Sequence, residues 1–166
     1  MARDAAQALK WCRKAAGLQE DTFTTVAYDY QREELEDAQG VKWCRKAAEQ
    51  GDADAQYNLG LMYEKGQGVA QDDAQAAEWY RQAAEQGHAQ AQHNLGLMYV
   101  NGLGVAQDAA QAAVWYRKAA EQGHARAQHN IGLMYEKGQG VARDAAQALK
   151  WYRKAAGQGR AEVRYA

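Results

Sequence analysis

The chain has 166 residues, 47% of them hydrophobic and 25% charged, and a net charge of −1. This is the composition of a soluble globular protein, and the near-neutral balance excludes a strongly basic nucleic-acid surface. No apolar run approaches the roughly 20 residues needed to cross a bilayer. Proline is absent and alanine is abundant, which favours helix nearly throughout. Met1 leads directly into Arg3-Asp4-Ala5-Ala6, the pattern of a polar helix and not of a secretory leader.

Trp43, Trp79, Trp115 and Trp151 stand at intervals of 36 residues, and a fixed period of this size marks a solenoid. In chain order, residues 1–17 read as a partial first unit holding a second helix only, and 18–50 as a divergent, shortened unit. Residues 51–86, 87–122 and 123–158 are regular units, and 159–166 begin a truncated helix. The shortened unit places Trp11 only 32 residues before Trp43 and carries no glycine-rich loop. After Tyr30 the run Gln31-Arg32-Glu33-Glu34-Leu35-Glu36 extends the helix. Between Glu20 and Asp37, seven acidic residues meet one base, Arg32, which makes a local acidic patch.

In a regular unit, helix A runs from about Ala53 to Glu64, with Ala55, Leu59 and Tyr63 forming a helical stripe. Gly60, repeated as Gly96 and Gly132, costs about 1 kcal/mol in a helix interior and so points to close approach of a neighbouring helix. The loop Lys65-Gly66-Gln67-Gly68-Val69 has two glycines suited to positive φ. Helix B opens at Asp72, spaced from Gln75 as a capping box. Asp4/Gln7, Asp108/Gln111 and Asp144/Gln147 repeat that spacing. Trp79 fills the core between layers, so Trp79→Ala is expected to cost about 3–5 kcal/mol. Gly51, Gly87 and Gly123 stop helix B.

Together, Leu-Gly-x-x-Tyr-x-x-Gly-x-Gly-Val-x-x-Asp and Ala-x-x-Trp-Tyr-Arg-x-Ala-Ala-Glu-Gln-Gly resemble the Sel-one-like repeat (SLR) family, relatives of the tetratricopeptide repeat. The resemblance is full around Leu59, Leu95 and Ile131 and partial from Asp21 to Lys42. It implies an all-α, right-handed α-solenoid of helix-turn-helix repeats, with helix A on the concave face. It also implies an adaptor that binds proteins or peptides, and the chain is expected to be a non-enzymatic monomer with no cofactor and no nucleic-acid or membrane partner. Ala70, Ala106 and Ala142 stand where many members have proline, and the first unit lacks the Gly-x-Gly loop. Two other functions stand beside this one. Ala2–Gly17 matches Ala142–Gly157 at 15 of 16 positions, as in a consensus-like or designed scaffold with no ligand of its own. Some cysteine-rich relatives are associated with β-lactam binding or hydrolysis, but they carry paired cysteines in each unit.

Here there are only Cys12 and Cys44, at the repeat position of Tyr80, Tyr116 and Tyr152. Equivalent positions on stacked helices usually lie farther apart than the roughly 4.4–6.8 Å between Cα atoms that a disulfide needs. Two small buried side chains are therefore expected.

His88 and His93 are five residues apart, not the four that would put two metal ligands on one helix face. The four histidines (His88, His93, His124, His129) read as solvated or groove-lining, with no metal site. The Gly-x-Gly loops read as turns, and no catalytic constellation is visible. The peptide-binding candidates lie on helix A: the column Asn58, Asn94 and Asn130, and beside it Tyr57, His93 and His129. An asparagine ladder offers amides to an extended backbone. Asp54, Gln90 and Arg126 vary at a neighbouring position and would tune specificity. Glu33, Glu34 and Glu36 form a second candidate surface, for a basic partner. Arg45/Lys46, Arg81 and Arg117/Lys118 read as a solvated outer face of helix B.

Overall fold

The computed structural model describes residues 30–164, with side chains described for 38–158. Among these residues there are seven α-helices and no strand. They are α1 (Tyr30–Glu49), α2 (Ala53–Lys65), α3 (Asp73–Glu85), α4 (Ala89–Asn101), α5 (Ala109–Glu121), α6 (Ala125–Lys137) and α7 (Ala145–Arg164). The chain divides into two compact units between Ala83 and Ala84. In the first, α1 packs on α2; in the second, α4 packs on α5, α5 on α6 and α6 on α7. The repeat is a helical hairpin, with α2, α4 and α6 as helix A and α3, α5 and α7 as helix B. This is the α-solenoid class that the 36-residue period predicts.

Local chemistry sets the hairpin. Helix A ends on Gly66, Gly102 or Gly138, each left-handed at φ 66–68°, where the glycine N–H returns to the carbonyl of Met62, Met98 or Met134. The second loop glycine also has positive φ, and at Gly140 a Cβ would fall 2.1 Å from the Ala109 carbonyl oxygen. Only glycine fits there. Helix B then starts as the aspartate spacing predicts: Asp72, Asp108 and Asp144 accept from the backbone N–H of Gln75, Gln111 and Gln147 at 3.1 Å. The reciprocal half of the capping box is replaced. The N–H of each capping aspartate donates to the carbonyl of Tyr63, Tyr99 or Tyr135 at the end of helix A, so the loop is closed from both sides.

The helix-A glycine answers to a tyrosine ring. A Cβ on Gly60 would meet the Tyr80 ring at 2.6 Å, and one on Gly96 would meet Tyr116 at 2.6 Å. Tyr80 is fully buried, so the helix-propensity cost of the glycine is offset by the seating of a large aromatic side chain. The core is made of compact clusters, Cys44, Ala47, Ala48, Ala55 and Leu59 in the first unit and Ala112, Tyr116, Ala119, Ile131 and Trp151 in the second. Alanine at the crossings lets the helices approach.

Several sequence-based expectations are corrected. Cys44 is fully buried and disulfide-bonded; the one other cysteine, Cys12, lies outside the described residues. Regular stacking would keep equivalent positions apart, but between these two cysteines the interval shrinks from 36 to 32 residues. Trp115 and Trp151 are buried, whereas Trp43 and Trp79 keep part of their surface exposed. Arg45 and Arg117 are half-buried and donate to the hydroxyls of Tyr63 and Tyr135, so they tie helix A to the preceding helix and are not simply solvated. Lys118 lies 4.5 Å from the Trp115 ring centre, a cation–π contact.

α1 continues without a break through Gly40 and Trp43, because the shortened unit has no glycine pair to reverse the chain. α7 likewise runs on through Gly159, the repeat position at which the positive-φ Gly87 and Gly123 stop α3 and α5. Among the described residues, no helix is long and apolar enough to cross a membrane.

Candidate functional site

Of the polar side chains singled out on helix A, Gln90, His93, Asn94 and Asn130 come together in the unit that begins at Ala84. Its first components are two histidine caps. His124 precedes α6, and its Nδ1 accepts from the backbone N–H of Ala127 at 3.1 Å; His88 caps α4 in the same way on Ala91. Asp52 fills this position before α2, so the column keeps a cap acceptor while its chemistry changes. Accepting at Nδ1 leaves the proton of neutral His124 on Nε2, which lies 2.8 Å from Gln90 Oε1.

From there the hydrogen bonds run on in a fixed direction. Gln90 donates to Asn94 Oδ1 at 3.2 Å. His93 Nδ1 is 3.4 Å from the same oxygen and must carry the proton, which leaves Nε2 to accept from Asn130 Nδ2 at 3.2 Å. The His93 and His124 rings stack with centres 4.6 Å apart. His93 is 4% exposed. Burial above all, then the neighbouring His124, lowers its pKa to about 4, and burial followed by nearby Arg126 lowers that of His124. Both rings are therefore neutral at physiological pH. They are wired into the α4–α6 junction, so His93 is buried and not solvated, while it still lines the cleft described below.

The remaining candidates divide. His129 is exposed, with its ring tilted over Tyr152 at 5.6 Å, as His93 lies over Tyr116 and half-buried Tyr57 over Tyr80. Arg126 is exposed on α6. Asp54 is exposed and Asn58 half-buried on α2, in the first unit. The side chains of Glu33, Glu34 and Glu36 lie outside the described residues. Among the described residues no cluster of three or more potential ligands is placed to hold a metal ion.

Two clefts adjoin through Asn130. One, of about 430 Å³, is lined by His93, Leu97, Arg126, His129 and Asn130, with Ala125 and Ala155. The other, of about 460 Å³, is bounded on α6 by Asn130, Leu133, Met134 and Lys137. Leu97 is exposed. Leu97, Leu133 and Lys137 do not stand out in the sequence, although they continue the helix-A face at helical spacing. A buried glutamine column is a further feature that sequence reasoning missed. Gln56, Gln92 and Gln128 each donate to the carbonyl of Ala48, Ala84 or Ala120 at the end of the preceding helix, at 3.0–3.1 Å. Gln122 adds a 2.8 Å bond to Gln92 Oε1. Their recurrence every 36 residues was the available signal.

The Sel1 repeat profile matches residues 1–19, 36–52, 53–88, 89–124 and 125–159. A protective antigen of uropathogenic Escherichia coli displaying an SLR fold is similar at 44% identity with a TM-score of 0.74; the match covers 93% of this chain and 31% of that one. A Sel1 repeat protein from Oxalobacter formigenes is similar at 35% identity and TM-score 0.72, covering 93% and 70% of the two chains. Helicobacter pylori cysteine rich protein B shares the fold at 24% identity and TM-score 0.59, over 76% of this chain and 90% of that one. No curated protein matches. Sel1 repeat proteins are generally protein-interaction scaffolds, typically without enzymatic activity. With the profile spanning nearly every repeat and the helical hairpins built as described, this chain belongs to the Sel1 repeat family.

Proposed function

We propose that the chain is a non-enzymatic interaction scaffold that receives an extended peptide segment of a protein partner on its helix-A face. The observation that carries this is the pair of clefts joined at Asn130, which present exposed Leu97 beside polar groups that a rigid framework already orients. A surface with locked rotamers binds at low entropic cost. The asparagine column takes a divided role. Asn130 Nδ2 is engaged with His93, so its amide stiffens the site, while the cleft around it supplies the contact.

Selection from a phage-displayed library of random peptides tests this. Enriched peptides are expected to bind the parent and to bind a Leu97→Ser variant about fivefold more weakly, the loss of one modest apolar anchor. Leu97 is exposed, so the variant keeps the fold, which circular dichroism verifies. Failure to enrich any peptide would favour a scaffold without a ligand of its own. Enriched peptides indifferent to Leu97→Ser would move the site off this face.

A further inference from the structure

We infer that the helix-A face of α6 selects an acidic segment, its carboxylates seated on Arg126 and Lys137 and an apolar side chain between them over Leu97 and Leu133. This rests on the peptide-binding reading above and gives the partner its chemistry. Arg126, Asn130, Leu133 and Lys137 follow one another at four, three and four residues, so they share one face of α6. Arg126 lines one cleft, Lys137 lines the other, and Asn130 lines both.

The residues lining the two clefts include no carboxylate. Arg126 and Lys137 are exposed, and neither forms an ion pair among the described residues. His93, which lines the cleft beside Arg126, is held in place by its bonds to Asn94 and Asn130. A cation at each end, an apolar middle and no acid of its own form a surface complementary to an anionic chain, and such complementarity sets specificity. The spacing sets the register. Eleven residues of helix cover about 16 Å, which an extended chain spans in about five residues. The preferred segment therefore carries acidic side chains about five residues apart, with an aliphatic residue between them.

Fluorescence anisotropy with short labelled peptides tests this. The peptides are identical around a central leucine, with the two flanking charged positions occupied by glutamate, glutamine or lysine. The glutamate peptide is expected to bind about tenfold more tightly than the lysine peptide at low salt, with the preference shrinking as salt is raised. Arg126→Glu together with Lys137→Glu is expected to reverse the order, and Arg126→Gln to weaken the glutamate peptide alone. Both residues are exposed, so the variants fold. Equal binding of all three peptides, or unchanged order in the charge-reversed variant, would overturn the acidic assignment while leaving peptide binding intact. Absence of binding by every peptide would overturn both.

Discussion

Replacing Gly96 by alanine drives a methyl group into the Tyr116 ring, 2.6 Å from Cε1 and 2.7 Å from Cδ1. Two effects oppose each other. Alanine favours the helix over glycine by about 1 kcal/mol. Forcing an extra carbon against a ring that is 3% exposed costs about 1–3 kcal/mol, because the ring has little room to withdraw. Clash wins, and Gly96→Ala is expected to destabilise by about 1 kcal/mol net. Two other glycines calibrate the argument. At Gly132 the Tyr152 ring stands slightly farther off, at 2.8 and 2.9 Å, and is only half-buried, so Gly132→Ala should be nearly neutral. At Gly157, inside α7, a Cβ would have nothing within 4 Å, so Gly157→Ala should stabilise by about 1 kcal/mol. Urea unfolding of the three variants, with unchanged dependence on denaturant, reads the order directly. Gly96→Ala as stable as the parent would refute the account of why glycine stands there.

Stability should fall as pH drops from about 6.5 toward about 4, because the unfolded chain takes up a proton that folded His93 resists. The effect amounts to at most about 3 kcal/mol, and His93→Tyr, which copies Tyr57 in the same column, should flatten that part of the pH profile of the melting temperature. Trp115→Ala should cost about 3–5 kcal/mol in chemical denaturation, and Trp79→Ala less, since Trp79 keeps part of its surface exposed. Asp108→Ala removes the acceptor for the Gln111 N–H and should lower stability by about 1 kcal/mol, visible as a drop in thermal midpoint.

The hairpin is legible in the sequence because its determinants are local and repeated. Glycines at fixed offsets demand positive φ, aspartates announce helix starts, and the tryptophan period gives the unit. What escapes depends on contacts made in three dimensions. Gly60 points to close approach, but only the folded chain identifies the Tyr80 ring as the neighbour. His88 and His124 read as solvated residues, because histidine is an uncommon cap and its Nδ1 competes with better-known acceptors. Arg117 reads as solvated until its reach to Tyr135, 18 residues on, is visible. At the candidate site, the sequence marks the asparagine and histidine columns. It does not show that Asn130 and His93 bond to each other across 37 residues, so the division of labour proposed above, with Asn130 stiffening the face and Arg126, Leu97 and Lys137 meeting the partner, is not legible there.

The central claim is that the partner segment lies along the helix-A face. Backbone amide NMR shifts of the isotopically labelled chain, recorded as the glutamate peptide is added, test it most directly. The account predicts saturable shifts clustered at Leu97, Ala125, Arg126, His129, Asn130, Leu133 and Lys137, with helix B nearly silent. Shifts concentrated instead on the outer residues of α5 and α7, such as Val114 and Leu149, would contradict it.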